Sequence, residues 1–156
     1  MRNILYIIIT LTILATSCSY SDHKLNDTKS KKTMEMEKYV EIIEQKEFNS
    51  LAVCFMIEKQ KPLEIGNKMA EINEEAYMNG YNWEVFFDYY LSKNNPDILE
   101  GMEADPEAGA YVVCYELSDE NRIKAEKFVK IIVDLIENEE KLYEIVKNES
   151  NSIEWD

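Results

Sequence analysis

Residues 109–117, GAYVVCYEL, followed directly by Ser118-Asp119-Glu120, carry the clearest structural signal in the chain. A run rich in Tyr, Val and Cys reads as a strand. Ser118 then offers an oxygen to the free amides of a helix start, and the two acids after it suit the positive end of a helix dipole. Ala125, Phe128, Val129, Ile132, Leu135 and Ile136 recur at helical spacing, so the pattern switches from strand to one-faced helix within a few residues. A long helix with a single apolar face needs a sheet or another helix to cover.

Upstream, residues 38–45 (KYVEIIEQ) and 51–58 (LAVCFMIE) flank KEFNS at 46–50 and read as an antiparallel hairpin. The first of these also fits a helix beginning nearer Met34. Residues 62–77 hold Leu63, Ile65, Met69, Ile72 and Ala76, which predicts a helix stopped by Asn79-Gly80. Asn82 is then expected to cap a further helix with Glu84 in its first turn, running to about Lys93 with Val85, Phe86, Tyr89 and Tyr90. Asn95-Pro96 opens one more short helical turn. Downstream, Asn138 is expected to break and recap the long helix, leaving a last one with Leu142, Ile145 and Val146. Residues 148–156 read as a frayed tail in which Trp155 alone could dock. The sum is an α+β fold, a small antiparallel sheet of about three to four strands packed with helices, in a single domain over residues 34–156.

The N-terminus has a different character. Arg2 precedes an uncharged apolar run over residues 4–16, and Leu14-Ala15-Thr16-Ser17-Cys18 ends it in small residues and a cysteine. The run is shorter than the ~20 residues a membrane-crossing helix needs, so it suits a signal segment. Residues 1–17 therefore read as a lipoprotein signal peptide, with cleavage before Cys18 and lipidation on it; an ordinary secretory leader is the alternative. Residues 18–33 (CSYSDHKLNDTKSKKT) are polar and read as a disordered tether. Several acyl chains hold such a protein on a membrane. The expected address is the cell envelope, with the outer membrane favoured because Ser19 is unlike the aspartate that retains some lipoproteins at the inner membrane.

Charge is concentrated in the folded part. The whole chain carries −14, but from residue 33 onward 12 Lys plus Arg face 29 Asp plus Glu, which leaves −17. Such a domain repels nucleic acid and attracts basic partners. The one histidine, His23, lies in the tether, so a His-dependent base or ligand set is excluded from the folded part. With four glycines and no phosphate loop, neither a cofactor nor a metal is expected, and no enzymatic activity. Export permits a disulfide between Cys54 and Cys114, with two buried free thiols as the favoured alternative. Glu103-Ala104-Asp105-Pro106-Glu107 places three acids within five residues. Asp105 and Pro106 suit a turn before the strand, which leaves Glu107 to bond the loop or face a partner. Aromatics gather at Tyr77, Tyr81, Trp83, Phe86, Phe87, Tyr89 and Tyr90, a composition shared by cores and by protein-binding hot spots.

The order of three of these segments carries a resemblance. Asn79-Gly80-Tyr81-Asn82-Trp83-Glu84, then Asn95-Pro96-Asp97, then residues 103–111 (EADPEAGAY) resemble the immunity protein 51 family of bacterial polymorphic toxin systems across roughly residues 36–148. Met78 departs from the first Gly of that family's Gly-Asn-Gly, and Ala104 from an aromatic that often precedes Asp-Pro-Glu. The resemblance implies a small α+β protein that binds and neutralises a cognate toxin, here from a lipid anchor; it does not imply which residues make the contact. From composition, the candidate contacts are Tyr81, Trp83, Glu84, Tyr89, Tyr90, Glu103, Asp105 and Glu107, facing a toxin with a basic or catalytic face. An envelope lipoprotein with a structural or ligand-binding role is the alternative.

Overall fold

A computed structural model describes residues 39–156. The signal peptide, Cys18, the tether and the expected domain start at Met34 lie outside the described residues. In chain order the elements are β1 (Val40–Gln45), β2 (Ser50–Met56), α1 (Gln60–Ile72), α2 (Gly80–Asn94), α3 (Pro96–Leu99), β3 (Glu103–Glu107), β4 (Ala110–Glu116), α4 (Asp119–Glu137) and α5 (Glu139–Glu149). The fold is α+β, with one antiparallel sheet in the order β1-β2-β4-β3. Short 3-10 turns at Lys46–Phe48 and Ser150–Ser152 complete it.

The register explains how the sheet has two unlike faces. Leu51, Val53 and Phe55 sit opposite Tyr115, Val113 and Tyr111, and all six are buried. Paired residues in an antiparallel ladder share a face, and alternate residues swap faces. These six therefore form the inner face, against which α2 and α4 pack. Trp83 packs edge-on against Phe55 at 5.1 Å and stacks on Phe87 at 5.4 Å. Phe87 in turn stacks on Tyr111 and meets Phe128 of α4. The helices α1 and α5 pack on each other and on α4, burying Ile65, Met69, Leu142 and Val146. Tyr115 donates to the Ile98 carbonyl at 3.0 Å, which pins α3 to the sheet.

Four sequence expectations are corrected. Glu103–Glu107 is an edge strand rather than a turn, and Ala108-Gly109 makes the tight hairpin instead. Pro106 is tolerated there because an edge strand has one side without ladder bonds. The first helix stops at Ile72, not Tyr77, with Asn73 bonded back to Met69. Asn79-Gly80 therefore begins a helix instead of ending one: the Asn79 side chain accepts the Asn82 amide at 2.8 Å, so Asn79 and not Asn82 is the cap. The C-terminal tail is docked. Ile153 is buried, Trp155 Nε1 donates to Ser150 Oγ at 2.9 Å, and the Asp156 amide donates to Asn82 Oδ1 at 2.7 Å.

Asn82 ties these pieces together. Its Nδ2 donates to the carbonyls of Tyr77 at 2.8 Å and Glu75 at 3.3 Å, so one buried amide holds the loop before α2 and the last residue of the chain. Ser118 caps α4 as expected, accepting the Asn121 amide at 3.1 Å.

Candidate functional site

The helical angle of α2 divides the aromatic candidates. Trp83, Phe86, Phe87, Tyr90 and Leu91 fall at spacings of three and four and form its inward stripe, whereas Tyr81, Glu84 and Asp88 lie on other sides. Trp83 is 0% exposed and Tyr90 is 9% exposed, so both rings belong to the core. Tyr89 is half-buried and engaged within the chain. It donates to Glu149 at 2.6 Å and accepts from Lys93 at 2.9 Å, and Lys93 also bonds Glu149. Tyr81 remains on the surface at 43% exposed.

Glu84 lies one turn from Asp88 and near the C-terminal Asp156. Partial burial, then the charges of Asp88 and Asp156, raise its carboxyl above the ordinary range. A carboxyl raised in the native state is more costly to ionise there than in the unfolded chain, so the penalty is present above the native value and absent below the unfolded one. Glu84→Gln is therefore expected to melt higher than the parent at pH 7, the gap closing towards about pH 4, where model Glu carboxyls protonate. Thermal melts at the two pH values check this, and an unchanged gap would show that charge is not the cause.

The acidic candidates Glu103, Asp105 and Glu107 are all exposed and alternate along β3. They pair in register with Cys114, Val112 and Ala110, which places the three carboxylates in one row on the outer face of the sheet. Among the described residues, no Lys or Arg occupies a strand position on that face. Cations instead serve the helical side and the sheet edge: Lys93 meets Glu149, Lys127 meets Asp97, and Arg122 meets Glu44. Inward of the row runs a small apolar stripe of Ala52, Cys54, Val112 and Cys114, from buried to half-buried.

Cys54 and Cys114 lie on this stripe as free thiols. Cys54 pairs with Val112 and Cys114 with Ala52, so the two are diagonal neighbours. Diagonal positions stand about 7–8 Å apart, beyond the Cα separation a disulfide accepts. The bridge allowed from sequence is thus not made. Burial first, then Glu41 and the other cysteine, push the Cys54 thiol up. Burial dominates at Cys114 too, with Asp105 and Glu103 adding to it against a Ser50 hydrogen bond. Protonated, half-buried thiols of this kind are poor nucleophiles.

At the β1–β2 end the outer face opens into a shallow concavity of about 460 Å³, lined by residues that include Phe48, Ser50, Glu103, Cys114 and Glu116. Phe48 is 63% exposed at its rim. Sequence reading missed it. An aromatic inside the short polar link KEFNS was the available signal, because a residue on a hairpin tip has little core within reach. Neighbouring Asn49 turns the chain with φ +50°.

The two short motifs of the sequence prove to be one piece of structure. A Cβ on Gly80 would stand 1.9 Å from the Glu107 carbonyl oxygen and 2.3 Å from that of Ala110, so the start of α2 is seated on the β3–β4 hairpin. Gly80 is required there for close approach, not for a turn.

An α+β domain with helices on one face of its sheet and an exposed acidic row on the other is a scaffold that presents a surface. The family model described as immunity protein 51 matches residues 40–151, and the chain belongs to that family. The family name marks it as an immunity protein against toxins. No curated protein and no solved structure matches the chain.

Proposed function

We propose that this chain is a lipid-anchored immunity protein that neutralises a cognate bacterial toxin by stoichiometric binding. The observation that carries the reading is the family match over residues 40–151. The charge of the domain agrees with it: a surface at −17 from residue 33 onward speeds encounter with a basic or catalytic toxin face, while buried apolar contacts supply affinity. Cys18 and its polar tether would place the inhibitor in the cell envelope, at the outer membrane by preference, where an incoming toxin passes or acts.

A toxin-like gene directly upstream of this one is the expected finding, and co-expression with its toxin domain tests the proposal. The pair should be viable where the toxin alone kills, and the purified proteins should form a one-to-one complex by calorimetry. Continued killing with no complex would reject it. Cys18→Ala should bind the toxin as the parent does in vitro yet protect cells less. Equal protection would remove the anchor from the mechanism.

A further inference from the structure

We infer that the toxin docks on the outer face of the sheet, with a cationic patch of the toxin laid along Glu103, Asp105 and Glu107 and a side chain of the toxin entering the concavity beside Phe48. The inference rests on the immunity reading above and names the surface that reading leaves open.

Three observations converge on this face. The β3 row is three exposed carboxylates in register, and among the described residues no strand position on this face is Lys or Arg. Elsewhere Lys93, Lys127 and Arg122 each lie against a carboxylate on the helical side or at the sheet edge, so the few cations of the domain are spent away from this row. Beside the row lies a stripe of small side chains, Ala52, Cys54, Val112 and Cys114, flat enough for another protein to approach the backbone closely. The concavity at the end of the stripe has an exposed aromatic at its rim and Glu103 and Glu116 among its walls. An aromatic beside a pocket, ringed by charge, is the arrangement of an interface hot spot. Strand addition at the β3 edge is disfavoured, because Pro106 has no N–H to offer a new neighbour. A second copy of this chain is disfavoured as occupant too, since stacking this face on itself would bring two carboxylate rows together.

The test uses calorimetry with the full mature chain and the adjacent-encoded toxin domain, made inactive, as probe. The variant E103Q/D105N/E107Q keeps side-chain shape and removes charge; V112R blocks the middle of the stripe; F48A empties the rim; I72A, an exposed apolar side chain on α1, is the control. Circular dichroism and melting temperature check that each is folded, and the isosteric triple variant decides if V112R is not. The parent should bind with an affinity that falls steeply with salt. The triple variant should bind about 100-fold more weakly and lose most of that salt dependence. F48A should weaken binding at least about 10-fold, while I72A stays within about 3-fold. If the parent binds but the triple variant and F48A bind equally well, the surface is wrong and the immunity reading stands. If the parent itself does not bind, both fall. A parent dimer in sedimentation that V112R dissociates would assign the face to self-association and overturn the inference.

Discussion

Replacing Gly80 with alanine is expected to destabilise the domain by about 3 kcal/mol, at the upper end of what overpacking usually costs. The sign is not the one helix propensity suggests. Gly80 is the first residue of α2, and Gly→Ala in a helix ordinarily gains up to about 1 kcal/mol. Here the added carbon would stand 1.9 Å from one backbone oxygen and 2.3 Å from another. Neither belongs to a flexible side chain that can swing aside; both lie in a hairpin whose strands are held by the ladder to β2. Relief requires lifting the helix start from the sheet, which would disturb the Asn79 cap and the Asn82 bonds to Tyr77 and Asp156. Urea unfolding followed by circular dichroism measures the loss. A variant as stable as the parent would show that the α2–hairpin contact is softer than its geometry implies.

Trp83→Ala is expected to cost more, about 3–5 kcal/mol, the range for truncating a large buried aromatic. Trp83 is fully buried and touches Phe55, Phe86 and Phe87 with ring centroids 5.1–5.8 Å apart. A typical domain has about 5–15 kcal/mol in all, so the variant would be marginal or unfolded at 37 °C. Trp83→Phe should be much milder, because Nε1 has no hydrogen-bond partner to lose. Tyr81→Ala, two residues away but exposed, should stay within about 0.5 kcal/mol of the parent. Melting temperatures rank the three. The comparison also separates stability from recognition: if folded Trp83→Phe lost toxin binding while its melt matched the parent, the core assignment of Trp83 would be wrong.

Trp83 and Gly80 show why some of the site could be read in advance and some could not. Glu103, Asp105 and Glu107 were identified as a cluster of acids within five residues, and they do stand together, because alternation along a strand puts every second side chain on one face. Trp83 and Tyr90 were grouped with Tyr81 by composition. The spacing 83, 86, 87, 90, 91 already contained the answer that they point inward, but only once the helix was known to begin at Gly80 and to lie against a sheet. Asn79-Gly80 read as a helix end because that is the usual meaning of the pair. Its actual meaning depends on two carbonyls about thirty residues later in the chain, which no local window contains.

The cysteines make the same point at smaller scale. Both were correctly placed on strands, and the question of a bridge turned on a two-residue offset in register. Register between β2 and β4 is decided by which bulky residues must share the core, Leu51 with Tyr115 and Phe55 with Tyr111, and not by the cysteines themselves.

Element type and order were written in the chain: the Tyr-, Val- and Cys-rich run at 109–117, the three-and-four spacing from Ala125 to Ile136, the Ser118 cap, and the excess of carboxylates all act through near neighbours or through bulk composition. Packing alone settled that β3 joins as an edge strand beyond β4, that the helices gather on one side, and that the acid row is left exposed on the other. Those outcomes depend on pairings between residues far apart in sequence, where burial of large aromatics outweighs local preference.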